Sequence, residues 1–296
     1  MSKKSTQLAF AFLAMVMPLL AVAAETATDG FHLNRAYIET SVLNSSVTDN
    51  AGPFVGVPNN LGSSHANAIS AGLGANLLPK LRAGLSVTGM HSEGQSKDVF
   101  FDIGNKSNLY GAAGYLDYSI AKPVSVGVFG GRYHGGGDLT HTFGGMPTDR
   151  SNYSVTSINH GAYLTAVWPI SSAWVARISP AYVQSRSTTD YSPLQGIIVS
   201  DSRANNRLDL LNVTASMSYF YARKWRFDVG AVMHHVKRQE SSSPTTTLHS
   251  TNWQTPFVGV TYQLSKHYEV YGRVTKETHD DLFAGNTATL GFARNF

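Results

Sequence analysis

The feature that most limits what this chain can fold into is a two-residue alternation of apolar and polar side chains. It recurs along the sequence, broken at intervals that are alternately short and long. Trp225, Phe227, Val229, Ala231 and Met233 share one parity, while Arg226, Asp228 and His234 take the other. Leu81, Ala83, Leu85 and Val87 alternate with Arg82, Gly84, Ser86 and Thr88. Near the end, Ala288, Leu290, Phe292 and Phe296 alternate with Thr287, Thr289, Gly291 and Asn295. Successive side chains of a strand point to opposite faces, so each run reads as a strand with one greasy face.

Twelve such runs can be counted, at about 33–42, 65–77, 81–91, 107–120, 124–134, 153–168, 173–186, 206–221, 225–238, 251–264, 268–275 and 286–296. Short connections (78–80, 121–123, 169–172, 222–224 and 265–267) alternate with long ones rich in Gly, Pro, Asn and Ser (43–64, 92–106, 135–152, 187–205, 239–250 and 276–285). A β-sandwich with Greek-key links mixes connection lengths without phase. An up-and-down barrel with tight turns at one rim and loops at the other gives strict alternation, and an even strand count returns both ends to the tight rim. About ten residues of tilted strand cover an apolar band ~25 Å tall, and an open edge in hydrocarbon would leave backbone groups unpaired. The expected fold is all-β: a twelve-stranded antiparallel up-and-down transmembrane β-barrel over residues 25–296.

The first 24 residues read as an export signal. Lys3 and Lys4 precede an uncharged apolar stretch over 8–20, and Val22-Ala23-Ala24 supplies small residues for cleavage. Removing the two lysines takes the net charge from +4 to +2 (4 − 2), so the mature chain is nearly neutral. With no basic run, nucleic-acid binding has no support. The chain has no cysteine, which excludes a disulfide scaffold and thiol chemistry. No cofactor is implied. Aromatics gather beside the short turns on the presumed lipid face: Trp168, Trp174, Tyr219, Tyr221, Trp225, Tyr262, Tyr268 and Phe296. Amphipathic rings favour the headgroup boundary, so a girdle is expected there.

In these residues the chain resembles Gram-negative outer-membrane β-barrels over residues 31–296, as a pattern rather than by identity. The most specific piece is the last strand, where Leu290, Phe292 and the terminal Phe296 are similar to the signal read by that family's barrel-assembly machinery. Arg294 departs from the pattern. The strand count after a signal also resembles autotransporter translocator barrels, with no room for a passenger between residue 25 and the first strand. The resemblance implies the bacterial outer membrane, extracellular loops, periplasmic termini, and outer-membrane lipids and lipopolysaccharide as partners.

Placing the apolar parity outward sends Arg35, Tyr37, Glu39, Arg82, Asp117, Arg177, Arg226, Asp228, Glu269 and Arg273 inward. Slipping the register would turn five arginines to lipid, at ~2–4 kcal/mol each near the midplane. The interior is therefore expected to be polar, with small solutes passing a narrow porin-like pore lined by these residues. A closed lumen held by Arg–carboxylate pairs, with adhesive surface loops, is the alternative. A lipid hydrolase is the third reading, and Ser63 and His65 on one face of strand two are its best pair. His160 lacks a serine two residues on. His234-His235 and His279-Asp280-Asp281 place neighbours on opposite faces, so no metal site is expected. His134-Gly135-Gly136-Gly137-Asp138 has no helix or Lys-Ser/Thr after it and reads as loop, not as a phosphate cradle.

Overall fold

The computed structural model describes residues 32–49, 60–97, 102–143, 146–195, 202–241, 252–279 and 283–296. In order these are β1 (His32–Asp49), β2 (Asn60–Leu78), β3 (Leu81–Lys97), β4 (Asp102–Ala121), β5 (Val124–Phe143) and β6 (Met146–Pro169), followed by β7 (Trp174–Gln195), β8 (Ser202–Tyr221), β9 (Trp225–Ser241), β10 (Asn252–Gln263), β11 (Tyr268–His279) and β12 (Phe283–Asn295). Each strand pairs antiparallel with its sequence neighbours, and β1 pairs with β12 from Arg35↔Asn295 to Val47↔Phe283. The sheet closes on itself and has no free edge. The export signal expected over 1–24 and the middles of the long connections lie outside the described residues.

The five short links all sit at one rim, where β1 starts and β12 ends. In the Ala222-Arg223-Lys224 turn, Ala222 and Arg223 have φ of 51° and 56°, the left-handed backbone that matches the twist of the strands it joins. At the same rim the Phe296 amide donates to the Asn34 carbonyl at 3.1 Å.

The strands run well past the ends expected from apolar alternation. β6 has 24 residues, and β5 continues straight through Gly135-Gly136-Gly137. The glycines are strand residues, not a loop. A Cβ at Gly135 would stand 2.0 Å from the Asn108 carbonyl oxygen, and one at Gly137 1.9 Å from that of Lys106, so only glycine lets these backbones approach. A ladder needs backbone pairing rather than a greasy face. Hydroxyl pairs add to it, at 2.6 Å for both Ser45–Ser64 and Ser92–Ser107.

The extension coincides with an exchange of polarity. On β8 the outward side chains from the tight rim are Tyr221, Tyr219, Met217, Ala215, Val213 and Leu211, then Asp209, Arg207, Asn205 and Arg203. Inward, Ser218, Ser216, Thr214 and Asn212 give way to Leu210 and Leu208. β7 repeats this: outward, Tyr182 is followed by Gln184 and Arg186; inward, Arg177 and Ser179 are followed by Ala181 and Val183. Near the tight turns the wall is apolar outside and polar inside. Toward the other end it is polar outside, and inside a local apolar cluster of Val183, Leu208, Leu210 and Trp253 is buried among inward Ser185, Ser187, Thr189 and Asn206. In the first zone Leu85, Leu290 and Ile69 are 61%, 60% and 57% exposed on the outer wall. Each such side chain forgoes ~1.5–3 kcal/mol if water is what it meets.

The girdle residues pack ring to ring at the tight rim. Trp174 meets Tyr219 at 4.8 Å, Trp225 meets Tyr262 at 4.5 Å, and Tyr268 stacks on Phe292 at 5.7 Å between centroids. Arg294, the residue that departs from the terminal pattern, points outward and lays its guanidinium 4.5 Å from the Phe296 ring and 5.8 Å from that of Tyr268. Cation–π contact and a long aliphatic stem make an outward arginine tolerable beside a headgroup boundary. Leu290, Phe292 and Phe296 also face outward.

Candidate functional site: the wall of the lumen

All ten residues assigned to the interior face inward. Their arrangement follows from the register. Arg82 and Asp117 are directly opposite on β3 and β4 and form a buried ion pair at 2.5 Å. Asp117 also accepts from Ser125 at 3.0 Å and from the Tyr163 hydroxyl at 3.1 Å. Arg226 and Asp228 lie two residues apart on one face of β9 and meet at 3.0 Å. Ser218 donates to Asp228 at 2.6 Å, and the Arg226 Nη2 donates to Thr261 at 3.1 Å. Across the closing seam, Arg35 on β1 pairs with Glu269 on β11 at 2.7 Å. The Tyr271 hydroxyl donates to Glu39 at 2.8 Å. Arg273 has no carboxylate within 4 Å among the described residues; its guanidinium lies 3.8 Å from the centre of the Phe257 ring. Each of these contacts joins residues of one strand, of adjacent strands or of strands one apart, so the network runs along the wall.

Of a second set of inward side chains, only Tyr37 was anticipated from the sequence. Five tyrosines stand directly opposite glycines on the neighbouring strand: Tyr37–Gly72, Tyr115–Gly84, Tyr133–Gly111, Tyr163–Gly127 and Tyr271–Gly291. A Cβ added at any of the five glycines would come within 2.1–2.4 Å of a ring atom of the opposing tyrosine. Each ring therefore lies flat over its glycine, against the wall. The glycines are seats for aromatic rings, the cross-strand pairing that shields a strand glycine. Matching Tyr and Gly parity on consecutive strands was the signal that could have found them.

Away from the tight-turn rim, His234 turns inward, stacks 4.6 Å from Trp253, and is held by Asn212 at 2.9 Å and Thr255 at 3.1 Å. Trp253 donates to Glu277 at 2.9 Å. His235, its neighbour in sequence, faces outward, so the two do not converge. Among the described residues no three metal-ligating side chains gather; Asp280 and Asp281 lie outside them.

Outside, the polarity exchange is marked by a collar of cross-strand pairs. Asn44–His65 (2.7 Å), His91–Asn108 (2.8 Å), His134–Thr156 (3.0 Å), Thr188–Asn205 (2.9 Å) and His235–Asn252 (2.6 Å) all lie on the outer wall beyond the apolar zone. Asn44 supplies the group that orients His65, and Ser63 is exposed on the same face. The same imidazole–amide contact recurs without a serine at His91 and His235, so at His65 it is one member of a boundary series. His160 faces outward opposite Gln184.

No protein-family model matches the sequence, and no curated protein does either. Solved structures match the fold. The translocator domain of autotransporter NalP from Neisseria meningitidis is similar over 98% of this chain and 96% of its own, with a TM-score of 0.77 and 9% identity. The chain has the translocator-barrel fold. The transport unit of the autotransporter AIDA-I from Escherichia coli is similar over the whole of both chains, with a TM-score of 0.62 and 11% identity. An outer membrane channel from Pseudomonas putida F1 is similar over 92% of this chain and 97% of its own, with a TM-score of 0.53 and 9% identity. At these identities the likeness concerns backbone architecture, and the wall chemistry above belongs to this chain.

Proposed function

We propose that the chain is a bacterial outer-membrane barrel forming a narrow porin-like channel for small polar or anionic solutes, with extracellular loops and periplasmic termini. Hydrocarbon is the medium that makes sense of the outward leucines, valines and isoleucines between the aromatic girdle and the polar collar. In this reading, the assembly machinery of that membrane recognises Leu290, Phe292 and Phe296. The observation that carries the channel is the placement of bulk along the wall. Tyrosines lie flat on glycines, ion pairs link near neighbours, and Arg273 keeps a cation with no carboxylate partner among the described residues. A twelve-stranded barrel lies between packed eight-stranded and open sixteen-stranded ones, so a narrow path suits its girth.

The apolar cluster of Val183, Leu208, Leu210 and Trp253 favours a second reading, a barrel closed in its outer half whose surface serves interaction. Planar-bilayer recording of the purified barrel separates the two. Discrete conductance steps with anion preference are expected of the channel. A silent membrane across several salts, from protein that is demonstrably folded, gives the second reading instead.

A further inference from the structure

Two groups of opposite charge stand on the inward face of β11 with Thr275 between them, and neither is fully paired. Glu277 is only 5% exposed. One of its oxygens accepts from the Trp253 indole at 2.9 Å, and the other is buried without a hydrogen-bond partner among the described residues. No cation lies within 4 Å of it among those residues; the nearby His234 imidazole bonds Asn212 and Thr255. Arg273 has the complementary shortfall. Its Nε is buried without a partner, and the carboxylates of the region are already engaged. Asp228 takes Arg226 and Ser218, and Glu39 takes the Tyr271 hydroxyl. A buried ion without a counter-charge is costly to maintain, so two of them on one strand face call for a partner from outside the chain.

The two do not satisfy each other. Four residues separate them along β11, which places their Cα atoms ~13 Å apart. Phe257 on β10 stands directly opposite Thr275, and the Arg273 guanidinium lies over its ring, 3.8 Å from the centre. The cation is thereby carried to the level of Thr275, about two residues or ~7 Å short of Glu277. On one flank of this gap β10 presents Phe257, Thr255 and Trp253 inward. On the other, Gly285 of β12 stands opposite Glu277 and adds no side chain. The interval between the charges is edged by two aromatic rings.

That arrangement selects among ligands. A simple anion would leave Glu277 unpaired, and a simple cation would leave Arg273 so. An α-amino acid carries both charges on one carbon and is too short to meet both groups. A longer molecule with a carboxylate at one end and an ammonium at the other fits. The guanidinium fork takes the carboxylate at two points, the ammonium donates to the unpartnered Glu277 oxygen, and the methylenes between them lie against Phe257 and Trp253.

We propose that Arg273 and Glu277 form a luminal binding site for an amino carboxylic acid whose charged ends are separated by a chain of several carbons. The proposal rests on the channel reading for the solute's way in, and it narrows the polar solute to a dipolar one. Binding is read apart from conductance, so a silent bilayer would remove the channel without touching the site.

The test is isothermal titration calorimetry of the purified full-length barrel in non-ionic detergent, with 6-aminohexanoate as the probe and hexanoate, hexylamine and glycine as controls. Each protein is first shown to be folded by its heat-modifiable mobility on a gel. The wild type is expected to bind 6-aminohexanoate at least about tenfold more tightly than any control, as expected when a charged hydrogen bond is left unmade. Glu277→Gln, which keeps the shape and removes the charge, should weaken it by a similar factor and bring it level with hexanoate. Arg273→Gln should bring it level with hexylamine, and Arg223→Gln at the tight rim should change nothing. Absence of binding by the folded wild type overturns the proposal. Equal affinity for a singly charged control or for glycine does the same, and so does full affinity in either the Glu277 or the Arg273 variant.

Discussion

The Tyr271 hydroxyl on β11 donates to the Glu39 carboxylate on β1 at 2.8 Å, over the strand that closes the barrel. Arg35 and Glu269 cross the same seam at 2.7 Å. Both contacts span the seam where the first strand pairs with the last. Tyr271→Phe removes the donor from a buried carboxylate and is expected to cost about 1–3 kcal/mol. Glu39→Gln keeps an acceptor and loses the charge, so it should cost less. Urea unfolding of the refolded barrel measures both; an unchanged stability of Tyr271→Phe would show that the hydroxyl contributes nothing to the seam.

The tyrosine seats make a steric prediction. A side chain at Gly72 meets the Tyr37 ring at 2.4 Å, whereas at Gly89 nothing lies within 4 Å. Gly72→Val must push the ring toward the axis, with a cost of about 1–3 kcal/mol and a smaller conductance. Gly89→Ala fills an exterior recess beside His91 and Tyr110 and should leave both unchanged. Single-channel recording and unfolding together check the pair.

The arginines of the wall should separate into structural and selective ones. Arg82→Gln leaves the buried Asp117 without its cation and should destabilise by about 3–5 kcal/mol. Arg273→Gln breaks no ion pair. Its signature is selectivity: the anion-to-cation permeability ratio, read from reversal potentials, should fall by about twofold or more. A selectivity change from the first and none from the second would reverse the assignment.

The strands near the girdle were legible because lipid enforces strict alternation there: Trp225 to Met233 and Leu81 to Val87 allow one register only. The inward set followed from the same parity, and all ten residues are where it puts them. The outer extension was not legible for the reason that makes it stable. Past the apolar zone the outer face turns polar and a few apolar residues change side, as from Leu211 outward to Leu210 inward on β8. Serine, asparagine and glycine there read as loop although they sit in ladders. The tyrosine seats and the collar depend on which residues stand opposite, a property of pairing between strands that no single strand displays.

The extension should also respond to acid. Burial pulls the inward His141 imidazole below its ordinary value, against Asp149, whose Oδ2 lies 3.9 Å from Nδ1. With the folded value depressed, the unfolded segment takes up its proton first as pH falls. The stability is full above ~6.5 and declines below it. Hydrogen exchange at the outer ends of β5 and β6, corrected for intrinsic rate, should quicken from pH 7.5 to pH 5. His141→Gln should flatten that trend; an unchanged slope would assign it elsewhere.

The central claim, hydrocarbon outside and a solute path inside, is tested most directly by single cysteines, since the chain has none of its own. Cysteines placed in turn at Leu85, Ser86, Val87 and Thr88 in a barrel reconstituted in vesicles are probed with a small water-soluble thiol reagent and a lipid-borne quencher. The account predicts strict alternation: quenching without labelling at 85 and 87, and labelling without quenching at 86 and 88. Uniform labelling by the water-soluble reagent at all four positions would contradict it.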